Sequence, residues 1–159
     1  MIYTSDAFPL SVIRQAGDQT RPQGNQKTKK KRTYKNLVCA FDIETTRIPE
    51  IEQSFMYIWQ MQIESITVIG RTWTEFLRMM RRIADDLSKD TYIVLWDQNL
   101  SYEFQFLRGI YPFRSDEVFA VDSRKILRCD MMDHFEFRCS YLQTNMSLKE
   151  FTHKMHVEA

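Results

Sequence analysis

No stretch of this 159-residue chain is apolar for long enough to span a membrane. Residues 1–13 also lack the basic start and apolar block of a signal peptide. Cysteine is scarce: Cys39, Cys129 and Cys139 form no Cys-x-x-Cys pair, and the odd count favours reduced thiols. No internal repeat is visible. These absences argue against a membrane protein and a secreted disulfide-rich domain, and they predict a cytoplasmic protein.

Acidic residues are missing between Gln19 and Phe41, where lysine and arginine crowd together instead. Residues 1–35 carry eight basic side chains against two acidic ones, whereas residues 36–159 carry fourteen against nineteen. Because like charges repel, we expect residues 1–35 to form a basic, weakly structured arm ahead of a single domain over residues 36–159. The basic run either contacts phosphates or is simply solvated.

The distribution of apolar residues in the domain predicts an α/β fold with a mixed sheet flanked by helices. A Thr-x-x-Glu capping box at Thr72 and Glu75 marks the start of an amphipathic helix. The predicted strands are residues 36–45, 54–63, 65–71, 91–96, 118–121, 126–129 and 134–141, with further helices from about residues 101 and 145.

Two carboxylates end the first predicted strand. Asp42 and Glu44 follow an apolar run and are one residue apart, so they point to the same face, with about 7 Å between their Cα atoms. Two like charges held this close favour a divalent cation, and Mg²⁺ or Mn²⁺ prefers oxygen ligands. An Asp-x-Glu triplet also arises by chance, so the rest of the chain must support this interpretation.

A second polar group follows the strand predicted over residues 91–96. Asn99 suits a turn or a helix cap, and Glu103 lies in the first helical turn, where the helix dipole favours a carboxylate. Tyr102 and Phe106 are aromatic residues beside these acids, which suits stacking on nucleic-acid bases. Phe106 is equally compatible with a place in the hydrophobic core.

The stretches Phe41-Asp42-Ile43-Glu44-Thr45 and Asn99-Leu100-Ser101-Tyr102-Glu103 together resemble the first two exonuclease motifs of family B DNA polymerases. The likeness is greatest to the protein-primed polymerases of bacteriophages, and it covers roughly residues 36–157. Strand, strand, strand, helix, strand, helix is also the order of an RNase H-like sheet. The resemblance therefore implies an RNase H-like (DnaQ-like) exonuclease fold.

The resemblance implies hydrolysis of a DNA strand from its 3′ end, with two Mg²⁺ or Mn²⁺ ions in the site. Asp42, Glu44 and Glu103 would be the catalytic acids and metal ligands. The contacts to the single-stranded 3′ end would come from Thr45, Asn99, Tyr102 and Phe106. The implied partners are the 3′ end of single-stranded DNA, primer–template DNA and a terminal-protein primer, all in the cytoplasm of a phage-infected bacterium.

The sequence departs from the family pattern at two points. Glu103 stands where the second motif has Asp, and none of the seven tyrosines begins a Tyr-x-x-x-Asp third motif. We therefore expect the N-terminal portion of a phage-type polymerase, with its exonuclease fold truncated at the C-terminus. One alternative is a non-catalytic nucleic-acid-binding module with a degenerate site. The other is a stand-alone RNase H-like nuclease that takes its third acid from Asp122, Asp130 or Asp133.

Overall fold

A computed structural model describes residues 1–20 and 32–141 of the chain. Among the helices of these residues, none is long and apolar enough to cross a membrane. The helix expected from residue 145 lies outside the described residues. The described elements are β1 (Ile2–Thr4), α1 (Ser11–Arg14), β2 (Asp18–Thr20), β3 (Thr33–Lys35), β4 (Cys39–Ile48), β5 (Gln53–Ile63), β6 (Ile66–Gly70), α2 (Trp73–Asp86), β7 (Thr91–Asp97), α3 (Leu100–Ile110), β8 (Val118–Asp122), β9 (Lys125–Met131) and β10 (Phe135–Cys139).

The strands form one mixed sheet, which confirms the predicted α/β class. Eight strands follow the order β1-β6-β5-β4-β7-β10-β9-β8, and β3 joins the sheet beside β7 while pairing with β2. β4 runs antiparallel to β5 but parallel to β7, with Ala40 opposite Trp96. Because β4 and β7 are parallel neighbours, the residues at their C-terminal ends lie at the same edge of the sheet.

The alternation of buried and exposed residues along β4 separates two faces of the sheet. Phe41 and Ile43 are buried, whereas Asp42 and Glu44 between and after them are exposed. On the buried face, the Phe41 ring packs against Phe76 of α2, with 5.1 Å between the ring centroids. The apolar residues of α3 belong to the same hydrophobic cluster. The two acids of the first motif therefore face away from the core.

Residues 1–20 and 32–35 contain β1, α1, β2 and β3, which differs from the weakly structured arm expected there. β1 pairs in parallel with β6, and β3 pairs in parallel with β7. Phe8 and Ile13 are buried in the core, and the Arg82 guanidinium donates to the main-chain oxygens of Asp6 and Phe8. A three-residue strand is too short to carry a recognisable hydrophobic period, so the sequence pattern gave no indication of it.

The strands on either side of the basic run lie at the opposite end of the sheet from Asp42. β2 and β3 form an antiparallel pair, and Thr33 is opposite Thr91, the first residue of β7. Asp97, the last residue of β7, is six residues further on, which corresponds to about 20 Å along a strand. The basic residues 27–31 themselves lie outside the described part of the chain.

Candidate active site

The fold brings the acids of the two sequence motifs together. Asp42 is exposed on β4, whereas Glu103 is 5% exposed in the first turn of α3, which begins directly after β7. Burial raises the pKa of Glu103 to about 7, and the negative charge of Asp42 contributes to the shift. The electrostatic effect of Asp42 on Glu103 indicates that the two carboxylates are near each other. Glu44 is exposed, two residues beyond Asp42 on β4.

Asp97 is a further acid in this region that sequence reasoning missed. It ends β7, and none of its surface is exposed to solvent. Burial raises its pKa well above the ordinary value, and the charges of Glu103 and Asp42 raise it further. The only indication in the sequence is an acid placed directly after the apolar run of residues 91–96, and a turn was the simpler interpretation of it.

Three carboxylate oxygens in this region are buried without a hydrogen-bond partner: both oxygens of Asp97 and Oε2 of Glu103. Oxygen atoms of this kind are the ligands that Mg²⁺ and Mn²⁺ prefer, so the chemistry of the donor set fits these ions. Across residues 1–20 and 32–141, no three His, Cys, Asp or Glu side chains already surround one point as metal ligands do. Exposed Asp42 and Glu44 would therefore have to rotate towards the buried acids.

The predicted DNA-contacting residues surround the start of α3. The hydroxyls of Thr45 and Tyr102, 57 positions apart in sequence, are hydrogen-bonded to each other. Tyr102 is exposed and meets the edge of Phe106, with 5.4 Å between the ring centroids. Phe106 is also packed partly against the core, as one of the two interpretations of this residue predicts. Asn99 is exposed, and its side chain makes no capping hydrogen bond to α3.

A bulge in the β4–β5 ribbon changes which residues face Glu44. Glu44 pairs with Ile58, but Thr45 pairs with Met56, so Tyr57 is an extra residue on β5. Beyond the bulge Thr46 is opposite Phe55, and cross-strand partners share a face of the ribbon. Because Thr46 alternates back to the face of Glu44, exposed Phe55 lies on that face too. The sequence predicted β5 but not its register, so this aromatic residue was missed.

The acids considered as a replacement for the third motif are elsewhere in the fold. Asp130 forms an ion pair with Arg32 at 2.9 Å, and Asp133 forms one with Arg114 at 3.0 Å. Asp122 ends β8, which is four strands away from β4 in the sheet. At the usual spacing of about 4.8 Å between strands, that separation is about 19 Å. The structure brings none of the three to Asp42.

Comparisons with known proteins found no match for this chain. No protein-family model, no curated protein and no solved structure matches the chain.

Proposed function

We propose that this chain carries the metal-dependent 3′→5′ exonuclease site of a phage-type family B DNA polymerase, on an RNase H-like (DnaQ-like) sheet. The observation that carries the proposal is the meeting of two motifs that are distant in sequence. The Thr45 and Tyr102 hydroxyls are hydrogen-bonded, and Asp42 acts electrostatically on Glu103. A chance likeness of two short stretches gives no reason for them to meet in space.

The acidic residues would hold the divalent ions. Asp42 and Glu44 lie on the open face of β4, and buried Glu103, on which Asp42 acts electrostatically, offers an unpartnered oxygen. When bound, two Mg²⁺ or Mn²⁺ ions supply an activated water and stabilise the oxygen that leaves from the phosphodiester. Bound cations would also offset the burial and the repulsion from Asp42 that raise the pKa of Glu103.

The residues around the start of α3 would bind the end of the DNA strand. Tyr102 presents an exposed ring and a hydroxyl, and the Thr45 hydroxyl lies beside it. Asn99 is exposed at the same end of the helix and does not cap it, and Phe106 supports the Tyr102 ring from the side. Stacking of a base on an aromatic ring contributes about 1–3 kcal/mol, and it accepts any base, as removal of a mismatched nucleotide requires.

The test uses the 159-residue chain with a 5′-labelled single strand and Mn²⁺ or Mg²⁺. We expect stepwise shortening from the 3′ end, which Asp42→Asn and Glu103→Gln abolish. Asp85→Asn, a change of an exposed acid on α2, is the matched control and should leave shortening intact. Cleavage that persists in Asp42→Asn, or that starts inside the strand, would contradict the proposed site. Adding a terminal protein and primer–template DNA to a longer polymerase chain would test the wider assignment.

A non-catalytic nucleic-acid-binding module is the second candidate. It is favoured by one observation: among the described residues no three acids, cysteines or histidines are gathered as metal ligands. Such a module would bind single-stranded DNA through Tyr102 and Thr45 with the same affinity in the presence of a chelator. Binding that is unchanged by Asp42→Asn, together with no cleavage, would select this function over the exonuclease.

A further inference from the structure

Asp97 is a buried acid for which the described residues, 1–20 and 32–141, supply no side-chain partner. None of its surface is exposed, and neither carboxylate oxygen has a hydrogen-bond partner. Its main chain, by contrast, is fixed, because its carbonyl oxygen accepts from the Ser140 amide at 2.7 Å. An unpaired carboxylate deep in a protein is strongly unfavourable unless a proton or a cation neutralises it.

The residues around Asp97 indicate that a cation neutralises its carboxylate. β4 lies on one side of β7 and β10 on the other, and Asp97 is one position beyond the Ala40–Trp96 pair. The ionised groups that act most strongly on Asp97 are Glu103 and then Asp42, both acids. Asp97 thus belongs to the same acidic group as the two motif residues, although it belongs to neither motif.

Two other buried acids of the sheet have hydrogen-bonding or cationic partners. Glu136 is also fully buried, but it accepts hydrogen bonds from Tyr34, Arg32 and Arg138. Asp130 is paired with Arg32. The described residues therefore supply cationic partners for Glu136 and Asp130, and none for Asp97, whose strand ends three residues before α3 begins.

We propose that Asp97 is a metal ligand, and that with Asp42 and Glu103 it completes a three-carboxylate site within the first 103 residues. This inference rests on the proposed metal-dependent function and specifies its ligand set. Asp97 takes the role for which Asp122, Asp130 and Asp133 are too distant or already paired. The ligand it would take is a hard divalent cation such as Mn²⁺ or Mg²⁺, since all three donors are carboxylates.

The test measures Mn²⁺ binding by the full chain, from the electron paramagnetic resonance signal of free Mn²⁺, and the rise in melting temperature that Mn²⁺ causes. Asp97→Asn keeps the size of the side chain but removes its charge. We expect this variant to bind Mn²⁺ at least 10-fold more weakly and to lose the rise in melting temperature, as Asp42→Asn does. Asp85→Asn should bind Mn²⁺ like the unchanged protein.

The other outcomes are separable. If Asp97→Asn binds Mn²⁺ as tightly as the unchanged chain while Asp42→Asn does not, Asp97 is a buried neutral acid, and only this inference is wrong. If the unchanged chain shows no Asp42-dependent Mn²⁺ binding, the proposed metal-dependent function itself fails. Asp97→Cys is the second variant, should Asp97→Asn not fold. Because thiolates prefer soft metals, it should bind Cd²⁺ with a new thiolate charge-transfer band absent from the unchanged chain, and absence of that band would overturn the assignment.

Discussion

Among the buried carboxylates of the described residues, Glu136 differs in its partners from Asp97 and Glu103. Glu136 accepts hydrogen bonds from Tyr34 and two arginines, and these partners lower its pKa despite the burial. Asp97 and Glu103 have buried oxygens without partners, and their pKa values are raised. Glu136 stabilises the fold by its charge, whereas Asp97 and Glu103 destabilise it and are retained, on the proposed function, for binding an ion.

Glu136→Gln should destabilise the protein, because it leaves the surrounding cations without their counter-charge. We expect a loss of about 3 kcal/mol in the free energy of unfolding at pH 7. The pKa of Glu136 is lowered in the folded state, so its contribution is fully present above the unfolded value of 4.5 and is lost as the pH falls through the folded value. Urea unfolding at pH 7 and pH 4 should show a smaller difference at pH 4; equal stability at pH 7 would contradict this role.

Glu103→Gln should have opposite effects on stability and on function. It removes a negative charge that burial disfavours, so the metal-free protein should be at least as stable in urea at pH 8 as the unchanged one. Exonuclease rate in Mn²⁺ should nevertheless fall by about 100-fold or more, because a direct ligand contributes at least as much as the groups that orient it. A variant that lost stability and kept its activity would assign Glu103 to the fold instead.

At the scale of single elements, the bulge in the β4–β5 ribbon decides which side chains face the acids. It moves Phe55 to the face of Glu44, where the ring is 43% exposed. Without the extra residue, Tyr57, the same sequence would turn this ring to the other face. Phe55 thus places an exposed aromatic ring on the face of the ribbon that carries Asp42 and Glu44, where a DNA strand bound at these acids would reach it.

Phe55→Ala should weaken binding of single-stranded DNA by about 5- to 150-fold, which corresponds to the loss of one stacked base. The measurement is fluorescence anisotropy of a labelled oligonucleotide with Ca²⁺ in place of Mg²⁺. Val121→Ala, a change of an exposed side chain on β8, is the control and should bind normally. Unchanged binding in Phe55→Ala would mean that the strand follows another path.

The longer elements were the predictable ones, and their hydrophobic periods explain why. β5, β6 and β7 are within one or two residues of the predicted ranges, and α2 begins at the predicted capping box, because each has a recognisable apolar pattern over five or more residues. β4 begins at Cys39 and continues to Ile48, three residues beyond the end of the predicted strand, because pairing with β5 supports it. Asp42 and Glu44 could be predicted as site residues because they share one sequence motif. The burial of Asp97 could not be predicted, because it depends on strands and a helix elsewhere in the sequence.

At the scale of the whole molecule, the N-terminal residues hold the sheet edge and α2 together. Phe8 and Ile13 fill the core, and the Arg14 guanidinium pairs with the Asp86 carboxylate of α2 at 2.8 Å. Arg82 on the same helix donates to the main chain around Phe8. The N-terminal segment is therefore part of the folded domain, and the division at residue 35 expected from the charge pattern does not separate two packing units here.

Phe8→Ala should lower the free energy of unfolding by about 3–5 kcal/mol, the usual effect of removing a buried aromatic side chain. Ile2→Ala is the matched control, because Ile2 is 71% exposed, and it should change stability by less than about 0.5 kcal/mol. Thermal and urea unfolding of both variants check this expectation. Equal stability of the two variants would favour the weakly structured arm suggested by composition.

The parallel pairing of β1 with β6 also sets an order of events during synthesis. Ile2 is opposite Thr67, and Thr33 is opposite Thr91, so β1 and β3 pair only with residues translated much later. At about 5–20 residues per second, the ribosome needs about 3–13 s to extend the chain from Ile2 to Thr67. The β4–β5 ribbon, whose partners are close in sequence, can form well before then. β1 is therefore among the last strands to dock, and it joins the sheet after the ribbon carrying Asp42 has formed.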